Sequence, residues 1–303
     1  MININMNSKK KFFIIDGHSL IYRSYFAFLN SNMTTKNGLV TSAIYGFTNS
    51  LLELLKKEKP DYLAVAFDTK EKTWRHNYLK EYKANRPKQP EDITKSFSFI
   101  FEILEGFNIN RYSLEGFEAD DVIGTISKKI PEDIDLFIMT PDKDYDQLVK
   151  NNVFIYKPNN KGYIKLGINN ILEKWNINEV KQVIDVLAII GDKCDNVPGV
   201  KGIGIKTATR LIQKYSSLEN IIENINNLNE SIKNKFIENL EEVKLSKKLV
   251  TITTNCNINF NYNECNIKSI DTSKLIEIFN KLEFENLKNK LLLLNVKKNQ
   301  TLF

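Results

Sequence analysis

The sequence predicts an α/β fold, a mainly parallel central sheet flanked by helices, followed by an all-helical region. Two observations indicate this fold. Short apolar runs alternate with helical patterns over the first half of the chain. From about residue 180 the pattern is helical only. The 303 residues suffice for one large domain or two smaller ones. We expect two domains, at residues 1–178 and 179–303.

Three apolar runs are the predicted strands: KFFIID, YLAVAFD and LFIMTPD. Between the first two, residues 40–57 carry apolar side chains at helical spacing. Each run ends at, or within one residue of, an aspartate: Asp16, Asp68 or Asp142. The carboxyl ends of parallel strands border the ligand crevice of such a sheet. These three side chains should therefore converge.

The second half predicts a series of helices. EVKQVIDVLAIIGD leads into a glycine-rich turn, and amphipathic helices continue to about residue 250. Residues 272–294 predict a closing helix or a pair of helices.

The composition indicates a soluble cytoplasmic protein. Lys and Arg number 43 against 37 Asp and Glu, and a formal charge of +6 is a mild sign of a polyanionic partner. The three cysteines have no C-x-x-C spacing, and with two histidines they form no zinc signature, so a reducing compartment fits best. No segment has the roughly 18 apolar residues of a membrane span.

Carboxylates are crowded in GFEADDVIGTISKK, where three of them precede a predicted amphipathic helix. Acids in a first helical turn are also favoured by the helix dipole, so capping alone could explain one or two of them. Together with the strand-end aspartates and those of TPDKDYDQL and GDKCDNVPG, nine candidates arise: Asp16, Asp68, Glu118, Asp120, Asp121, Asp142, Asp144, Asp192 and Asp195.

Nine clustered carboxylates would repel one another without counterions. Oxygen-only ligands favour a hard ion, Mg²⁺ first and Mn²⁺ second. Two such ions about 4 Å apart could clamp the attacking and leaving oxygens of a phosphodiester. The residues therefore predict metal-assisted phosphodiester hydrolysis.

GVKGIGIKTA predicts a glycine-rich turn that opens a helix. It is not a phosphate-binding P-loop, because Ile205 separates Gly204 from Lys206 and no strand precedes the turn. Its backbone N–H groups and cations could bind phosphates without regard to sequence. A tight turn that needs glycine for backbone reasons alone is the alternative. The candidate DNA contacts here are Gly199, Lys201, Gly202, Gly204, Lys206, Thr207 and Arg210.

A second basic region, residues 73–92, follows the Asp68 strand. Its cations are interleaved with Trp74, Tyr78 and Tyr82, a mixture of charge and stacking surface that is typical of single-strand binders. A solvated charged helix is the alternative, but it explains the aromatic residues less well. The cations are Arg75, Lys80, Lys83, Arg86 and Lys88.

Six motifs in order, IIDGHSLIYR, AFD, WRHNYLKEYKANRP, EGFEADDVIGT, TPDKDYDQL and GDKCDNVPGVKGIGIKTA, resemble the 5′ nuclease domain of bacterial DNA polymerase I and its free-standing relatives, the flap endonuclease superfamily. The likeness runs from about residue 10 to about 290. It implies a resolvase-like (PIN-like) nuclease core and places all nine acids at the family's metal-site positions.

The resemblance also implies two DNA-binding features. Residues 74–95 would form a helical arch that passes a 5′ single strand, with Tyr82, Lys83 and Arg86 near the scissile phosphate. Residues 190–215 would form a helix-three-turn-helix that grips the duplex and holds a K⁺ ion on main-chain carbonyls. Apart from the resemblance, we expect Tyr22 and Arg23 to contact DNA and to lie with His18 at the exit of the first strand, and for His18 a packing role stays open.

We therefore expect a structure-specific 5′-3′ exonuclease and flap endonuclease with two Mg²⁺ ions. Its substrates would be 5′ flaps, nicks, gaps and pseudo-Y junctions, and the RNA primers of lagging strands, in replication and repair. We expect a monomer in the cytoplasm, at the nucleoid. Two alternatives remain: a non-catalytic junction-binding protein, and a phosphatase of the haloacid-dehalogenase type, whose second aspartate is replaced here by His18.

Overall fold

The computed structural model of the chain describes residues 9–31, 33–159 and 162–300. The start of the first predicted domain (residues 1–8) and the end of the second (residues 301–303) lie outside the described residues. Its central sheet has six strands in the order β3-β2-β1-β4-β5-β6, all parallel except β6. The strands are β1 (Lys10–Asp16), β2 (Tyr62–Ala66), β3 (Asn110–Tyr112), β4 (Ile134–Met139), β5 (Val153–Asn159) and β6 (Gly162–Leu166).

Twelve α-helices are found among the described residues. Seven precede or follow the strands or lead out of the sheet: α1 (Gly17–Ala27), α2 (Ser42–Glu58), α3 (Glu91–Gly106), α4 (Ala119–Lys129), α5 (Ile168–Trp175), α6 (Gln182–Ile190) and α7 (Ile205–Tyr215). The remaining five are α8 (Leu218–Glu223), α9 (Glu230–Glu238), α10 (Leu240–Val250), α11 (Thr272–Lys281) and α12 (Glu285–Gln300). None of the described helices is both long and apolar enough to cross a membrane.

The α/β fold class is confirmed, and so are the three predicted strands. β1, β2 and β4 are buried on both faces, which is why they form continuous apolar runs. Three further strands were not predicted, because β3 is short and β5 and β6 are only partly buried. The side chains alternate between two cores. Phe12 and Ile14 face the core that contains α4 and α6, whereas Phe13 and Ile15 face the core that contains α1, α2 and α3.

The closing pair of helices, predicted within 272–294, is present as α11 and α12. Leu275 and Phe279 of α11, and Leu287 and Leu291 of α12, belong to the same core as α2 and α3. Residues of α6 to α10 pack in the core on one face of the sheet, and those of α11 and α12 pack in the core on the other. The division at residue 178 stays a prediction.

The segment 74–95 departs from the predicted helical arch. A 3₁₀ turn at Trp74–Asn77 is followed by successive turns to residue 86, and α3 begins only at Glu91. One feature of the sequence and one of the backbone are incompatible with a continuous helix. Pro87 and Pro90 lack the N–H that a helix needs and disfavour helical backbone in the residues before them. Lys83 has a positive φ of 59°.

The predicted helix-three-turn-helix consists of α6, the turns between residues 191 and 204, and α7. Two glycines cross closely within it. A Cβ on Gly199 would lie 2.4 Å from the backbone nitrogen of Gly191, and both glycines have φ near +65°. Only glycine satisfies both constraints. The backbone alternative for this turn is therefore correct at Gly191 and Gly199, and it leaves the role of the neighbouring cations open.

Replacing Gly199 by Ala should lower the free energy of unfolding by more than the strain of a positive φ alone. Gly116→Ala is the matched control, because Gly116 has φ +80° but open space around its Cβ position. We expect about 1–2 kcal/mol for the control and about 1–3 kcal/mol more for Gly199→Ala, measured by urea unfolding. Equal losses would show that the close crossing does not exist.

Candidate active site

A cleft of about 390 Å³ lies at the carboxyl ends of the strands and brings most of the predicted acids together. Three sources supply its acids: the ends of β1, β2 and β4, the start of α4, and the turn after α6. Seven of the nine candidates line it: Asp16, Asp68, Glu118, Asp120, Asp142, Asp144 and Asp195. The structure thus confirms the predicted convergence of the strand-end aspartates.

Asp16 and Asp68 end neighbouring strands and are each held by backbone N–H groups. Asp16 caps α1, accepting hydrogen bonds from the Ser19 backbone at 3.1 Å and the Ser19 hydroxyl at 2.6 Å. Asp68 accepts a bond of 2.8 Å from the Ala119 backbone N–H, which joins β2 to the start of α4. His18 Nδ1 accepts the backbone N–H of Asp68 at 3.1 Å, so His18 positions this residue.

Burial disfavours the ionised form of several of these carboxyl groups. It raises the pKa of Asp16 to about 6 and that of Asp144 to about 8, and it also raises the pKa of Asp142 and Asp120. Neighbouring carboxylates add to the effect at Asp144, chiefly Asp142. Cations placed among these groups would favour their ionised forms.

At the start of α4, Glu118 faces into the cleft and meets the turn segment after β2. Lys83 Nζ lies 2.7 Å from one Glu118 oxygen, and the Tyr82 hydroxyl donates to the other at 3.2 Å. Burial opposes the charge of Lys83, but the carboxylates of Glu118, Asp195 and Asp68 together more than offset it, and the pKa of Lys83 is raised. Tyr82 is only 5 % exposed, so this aromatic residue belongs to the site and not to an exposed stacking surface.

Two assignments require correction, because Arg75 and Asp121 bind each other in the interior. The Arg75 guanidinium donates to both Asp121 oxygens, at 2.7 and 3.0 Å, and its side chain is 1 % exposed. It therefore cannot contact DNA. Asp121 is fully buried and also accepts from Trp74 Nε1 and the Thr253 backbone, so it has no lone pair directed at the cleft. Its prediction as a metal ligand is wrong.

The buried Arg75 also explains how three acids can share the first turn of α4. Its guanidinium lies 3.6 Å from Glu118 and 3.6 Å from Asp120. Burial of the guanidinium opposes its charge, but Asp120 and Asp121 more than offset this and raise the pKa of Arg75. The helix dipole contributes in the same sense at this terminus. Capping is thus part of the reason for this acidic motif, and internal charge compensation is the rest.

The turn after α6 contributes Asp192 and Asp195. Asp195 lines the cleft and accepts hydrogen bonds from Arg86, at 2.9 Å from Nε, and from the Tyr82 hydroxyl at 3.3 Å. Asp192 lies outside the cleft lining, where Lys143 Nζ binds it at 2.8 Å. The backbone N–H of Lys83 donates to the Asp195 carbonyl at 3.0 Å. The turn after α6 and the basic segment are thus in direct contact.

Within the described parts of the chain, no three His, Cys, Asp or Glu side chains form a ready-made metal site. Protein cations separate the acids, with Lys83 between Glu118 and Asp195 and Lys143 at Asp192. The residues nevertheless fit a hard divalent cation. The donors are all carboxylate oxygens, and the buried Asp144 Oδ1 has no hydrogen-bond partner among the described residues.

The other predicted contacts are distributed over two surfaces. Tyr22 lines the cleft and donates a 3.0 Å hydrogen bond to Gln89, whereas Arg23 lies outside it, over the Tyr163 ring. Lys80 and Lys88 are exposed beside the cleft segment. On the turn before α7 and on α7 itself, the exposed residues are Lys201, Gly202, Gly204, Lys206 and Arg210, with Thr207 half-buried.

Sequence reasoning missed several residues that support the acids. Thr140 donates to Asp16 at 3.1 Å and accepts the Asp142 N–H at 3.1 Å, so it fixes two candidate ligands. Gln89 lines the cleft and holds Tyr22. The sequence signal for Thr140 and Lys143 is that they flank acids in TPDKDYDQL, but nothing in the sequence shows which acids they reach.

An acid-lined cleft at the carboxyl edge of a parallel sheet, beside a glycine-rich turn that opens a helix, is typical of a metal-dependent nuclease. Two family models support this class. That of the 5′-3′ exonuclease N-terminal resolvase-like domain matches residues 11–176, and that of the 5′-3′ exonuclease C-terminal SAM fold matches residues 178–273. The chain belongs to the 5′-3′ exonuclease family, the metal-dependent nucleases that include the 5′ nuclease domain of DNA polymerase I.

Relatives include separate and fused proteins. The 5′-3′ exonuclease of Aquifex aeolicus is 39 % identical over 280 residues, which cover 92 % of this chain and 94 % of the relative. DNA polymerase I of Caldicellulosiruptor bescii is 38 % identical over 286 residues, covering 93 % of this chain but 33 % of the polymerase. The chain thus spans about a third of the length of that polymerase and of the Bacillus subtilis polymerase.

Solved structures share the fold. The bacteriophage T5 flap endonuclease, crystallised with DNA and metal ions, superimposes with a TM-score of 0.66 at 20 % identity, over 94 % of this chain and 100 % of that one. The catalytic core of Rad2 in complex with DNA gives a TM-score of 0.65 at 18 % identity, over 94 % of this chain and 93 % of that one. Both likenesses support the flap endonuclease fold.

Arg75→Ala should destabilise the protein by about 3–5 kcal/mol, because it leaves the buried Asp121 carboxylate unpaired. Lys80→Ala, five residues away on the exposed side of the same segment, is the control and should stay within about 0.5 kcal/mol of wild type. Chemical denaturation would measure both. A stable Arg75→Ala protein with weakened DNA binding would restore the original assignment of Arg75 as a DNA contact.

Proposed function

We propose that this chain is a structure-specific enzyme that cuts 5′ flaps, nicks, gaps and pseudo-Y junctions, and removes RNA primer segments, in Okazaki fragment processing and DNA repair. The observation that carries the proposal is one cleft in which acids from the sheet edge, from the start of α4 and from the turn after α6 meet Lys83 and Arg86. We propose that the turns between α6 and α7 grip the duplex. Such a cleft can hold one phosphodiester at the point where a duplex is gripped.

The cleft acids would hold two Mg²⁺ ions, for which Mn²⁺ could substitute. When bound, such ions lower the pKa of water and polarise the phosphate. The ligands we propose are the seven lining acids, with Asp192 adjacent to them: Asp16, Asp68, Glu118, Asp120, Asp142, Asp144, Asp192 and Asp195.

Lys83 and Arg86 would stabilise the charge that develops on the scissile phosphate. Both form ion pairs with cleft carboxylates in this structure, Lys83 with Glu118 and Arg86 with Asp195. Cations bound by those carboxylates would release the two side chains toward the phosphate. Tyr82, which donates to both Glu118 and Asp195, holds the two acids in place and acts as a positioning residue.

Recognition would depend on shape and a free 5′ end, because the contacts available are to phosphates and base faces. The turn before α7 presents exposed glycines and cations to the duplex backbone. From the family resemblance, we also propose that main-chain carbonyls within residues 190–215 bind a K⁺ ion. Tyr22, Lys80 and Lys88 would contact the single strand. We expect a monomer at the nucleoid, in the cytoplasm.

Cleavage of a 5′-labelled flap duplex tests the proposal directly. Wild-type protein should release short 5′ fragments only with Mg²⁺. Asp142→Ala should lower the rate by more than about a hundredfold, since even outer-shell partners of a metal cost 10- to 100-fold. Asp133→Ala, an exposed acid in the turn after α4, is the control and should cleave normally. Binding without cleavage would instead support a junction-binding protein, and release of inorganic phosphate alone a phosphatase.

The affinity for duplex DNA should depend less steeply on salt concentration when the α7 cations are removed. In the double variant Lys206→Ala, Arg210→Ala, the slope of log K against log salt should fall by about 2, since each phosphate contact contributes roughly 0.9. Lys150→Ala is the control, because exposed Lys150 lies just before β5, at the opposite edge of the sheet. Anisotropy titrations between 50 and about 200 mM salt measure the slopes. An unchanged slope in the double variant would show that α7 does not face the duplex.

A further inference from the structure

A second groove, of about 1,000 Å³, opens directly from the active-site cleft. The two share His18, Asp68 and Gln89 in their linings. The groove then runs outward between the end of β2, α3 and the segment after β3. None of its other residues takes part in the site described above.

One wall of this groove is aromatic. Phe97 and Phe101 stand one turn apart on α3 and are only partly buried, although they pack against the core. The His18 ring lies 4.9 Å from the Phe97 ring, and Phe97 lies 5.9 Å from Phe101. The Arg111 guanidinium stacks over Phe101 at 4.3 Å. A row of aromatic rings, with the Arg111 guanidinium at its end, therefore extends away from Asp68.

The charges that line the groove are mixed: Asp68, Glu105 and Glu264 are acidic, and Lys70 and Arg111 are basic. Glu105 is paired with Arg111 at 3.0 Å and with Lys274 at 3.2 Å, and Lys70 is exposed. In addition, the buried hydroxyl oxygen of Thr69 has no hydrogen-bond partner among the described residues. It offers an incoming base a polar contact.

The position of the groove determines which part of a substrate could reach it. The cleft is lined by Asp195 from the turn after α6 and by His18 and Asp68, and the last two also line the groove. A strand whose phosphodiester lies in the cleft continues beyond it. The groove is an opening that adjoins the cleft and could receive that continuation.

We propose that this groove binds the unpaired bases of the 5′ single strand as it leaves the cleft, by stacking them on His18, Phe97, Phe101 and Arg111. The inference rests on the proposed function, since it takes the strand to be a 5′ flap or arm. Every base has a π-face, so stacking would accept any sequence. Asp68, a proposed metal ligand, lines both the cleft and the start of the groove, whereas Phe97, Phe101 and Arg111 lie outside the cleft lining.

The test uses duplexes with a 5′ single-stranded arm of zero to six nucleotides. They are bound in Ca²⁺, with gels to verify that the substrate stays intact. Affinity for wild-type protein should rise with arm length, and 2-aminopurine in the first arm positions should be quenched on binding. An arm of abasic residues, which has the same phosphates, should give no such gain. Equal gains with normal and abasic arms, or no quenching, would overturn the inference.

Variants locate the effect. Phe101→Leu keeps an apolar side chain of similar size and should weaken the arm-dependent gain about tenfold. Arg111→Gln, whose side chain lies at the surface, should weaken it about threefold. Phe99→Leu is the matched control on the same helix, because Phe99 contacts Lys281 instead of the groove, and it should bind as wild type does. Thermal unfolding confirms that each variant is folded.

Cleavage of the flap in Mg²⁺ separates failure of this inference from failure of the proposed function. If wild-type protein cuts flaps but Phe101→Leu and Arg111→Gln bind arms as wild type does, the groove assignment is wrong and the nuclease assignment stands. If wild-type protein cuts no flap, the proposed function fails whatever the arm experiments show.

Discussion

Charge compensation inside a crowded set of carboxylates is the constraint on which this structure depends. Three acids open α4 within four positions, and they are tolerated because a fully buried guanidinium, that of Arg75, lies among them. Lys83 and Arg86 have the same role at the mouth of the cleft, and Lys143 has it at Asp192. The compensation is permanent at Arg75, which solvent cannot reach, and exchangeable at the cleft, where Lys83 and Arg86 are more exposed. This difference separates structural charge from charge that a substrate can use.

Backbone geometry determines where the acids can be. Parallel strands place Asp16, Asp68 and Asp142 at one edge of the sheet, and the start of α4 is joined to that edge by the bond from the Ala119 N–H to Asp68. The turn after α6 reaches the same edge through the backbone bond between Lys83 and Asp195. The cleft is therefore complete only when both halves of the chain are folded. The contact joins the turn after α6 to the acids of the cleft.

Hydrophobic periodicity and motif spacing predicted much of the fold and of the site. The predictions that were wrong concern residues whose environment is set by tertiary contacts. The apolar runs of β1, β2 and β4 predicted the sheet, and the strand-end aspartates predicted the cleft, since both depend on local sequence. Arg75 and Asp121 were misassigned because the local sequence does not show whether a charged side chain faces solvent or a buried partner. A basic residue next to aromatic residues, or an acid next to other acids, has the same sequence pattern in both cases. The turns between 78 and 89 were missed although Pro87 and Pro90 signal them, because the arch came from resemblance to a family. The return of α11 and α12 to the first core has no local signal.

The cations on the cleft acids also bear on how the site would respond to its ligands. Lys83 is paired with Glu118 and Arg86 with Asp195 in this structure, and the Tyr82 hydroxyl donates to both acids. A divalent ion that bound these carboxylates would compete with the two basic side chains, and a phosphate beside the ion could then bind them. Binding of ion and binding of phosphate should therefore favour each other. Because the backbone N–H of Lys83 donates to the Asp195 carbonyl, such coupling would also reach the turn after α6.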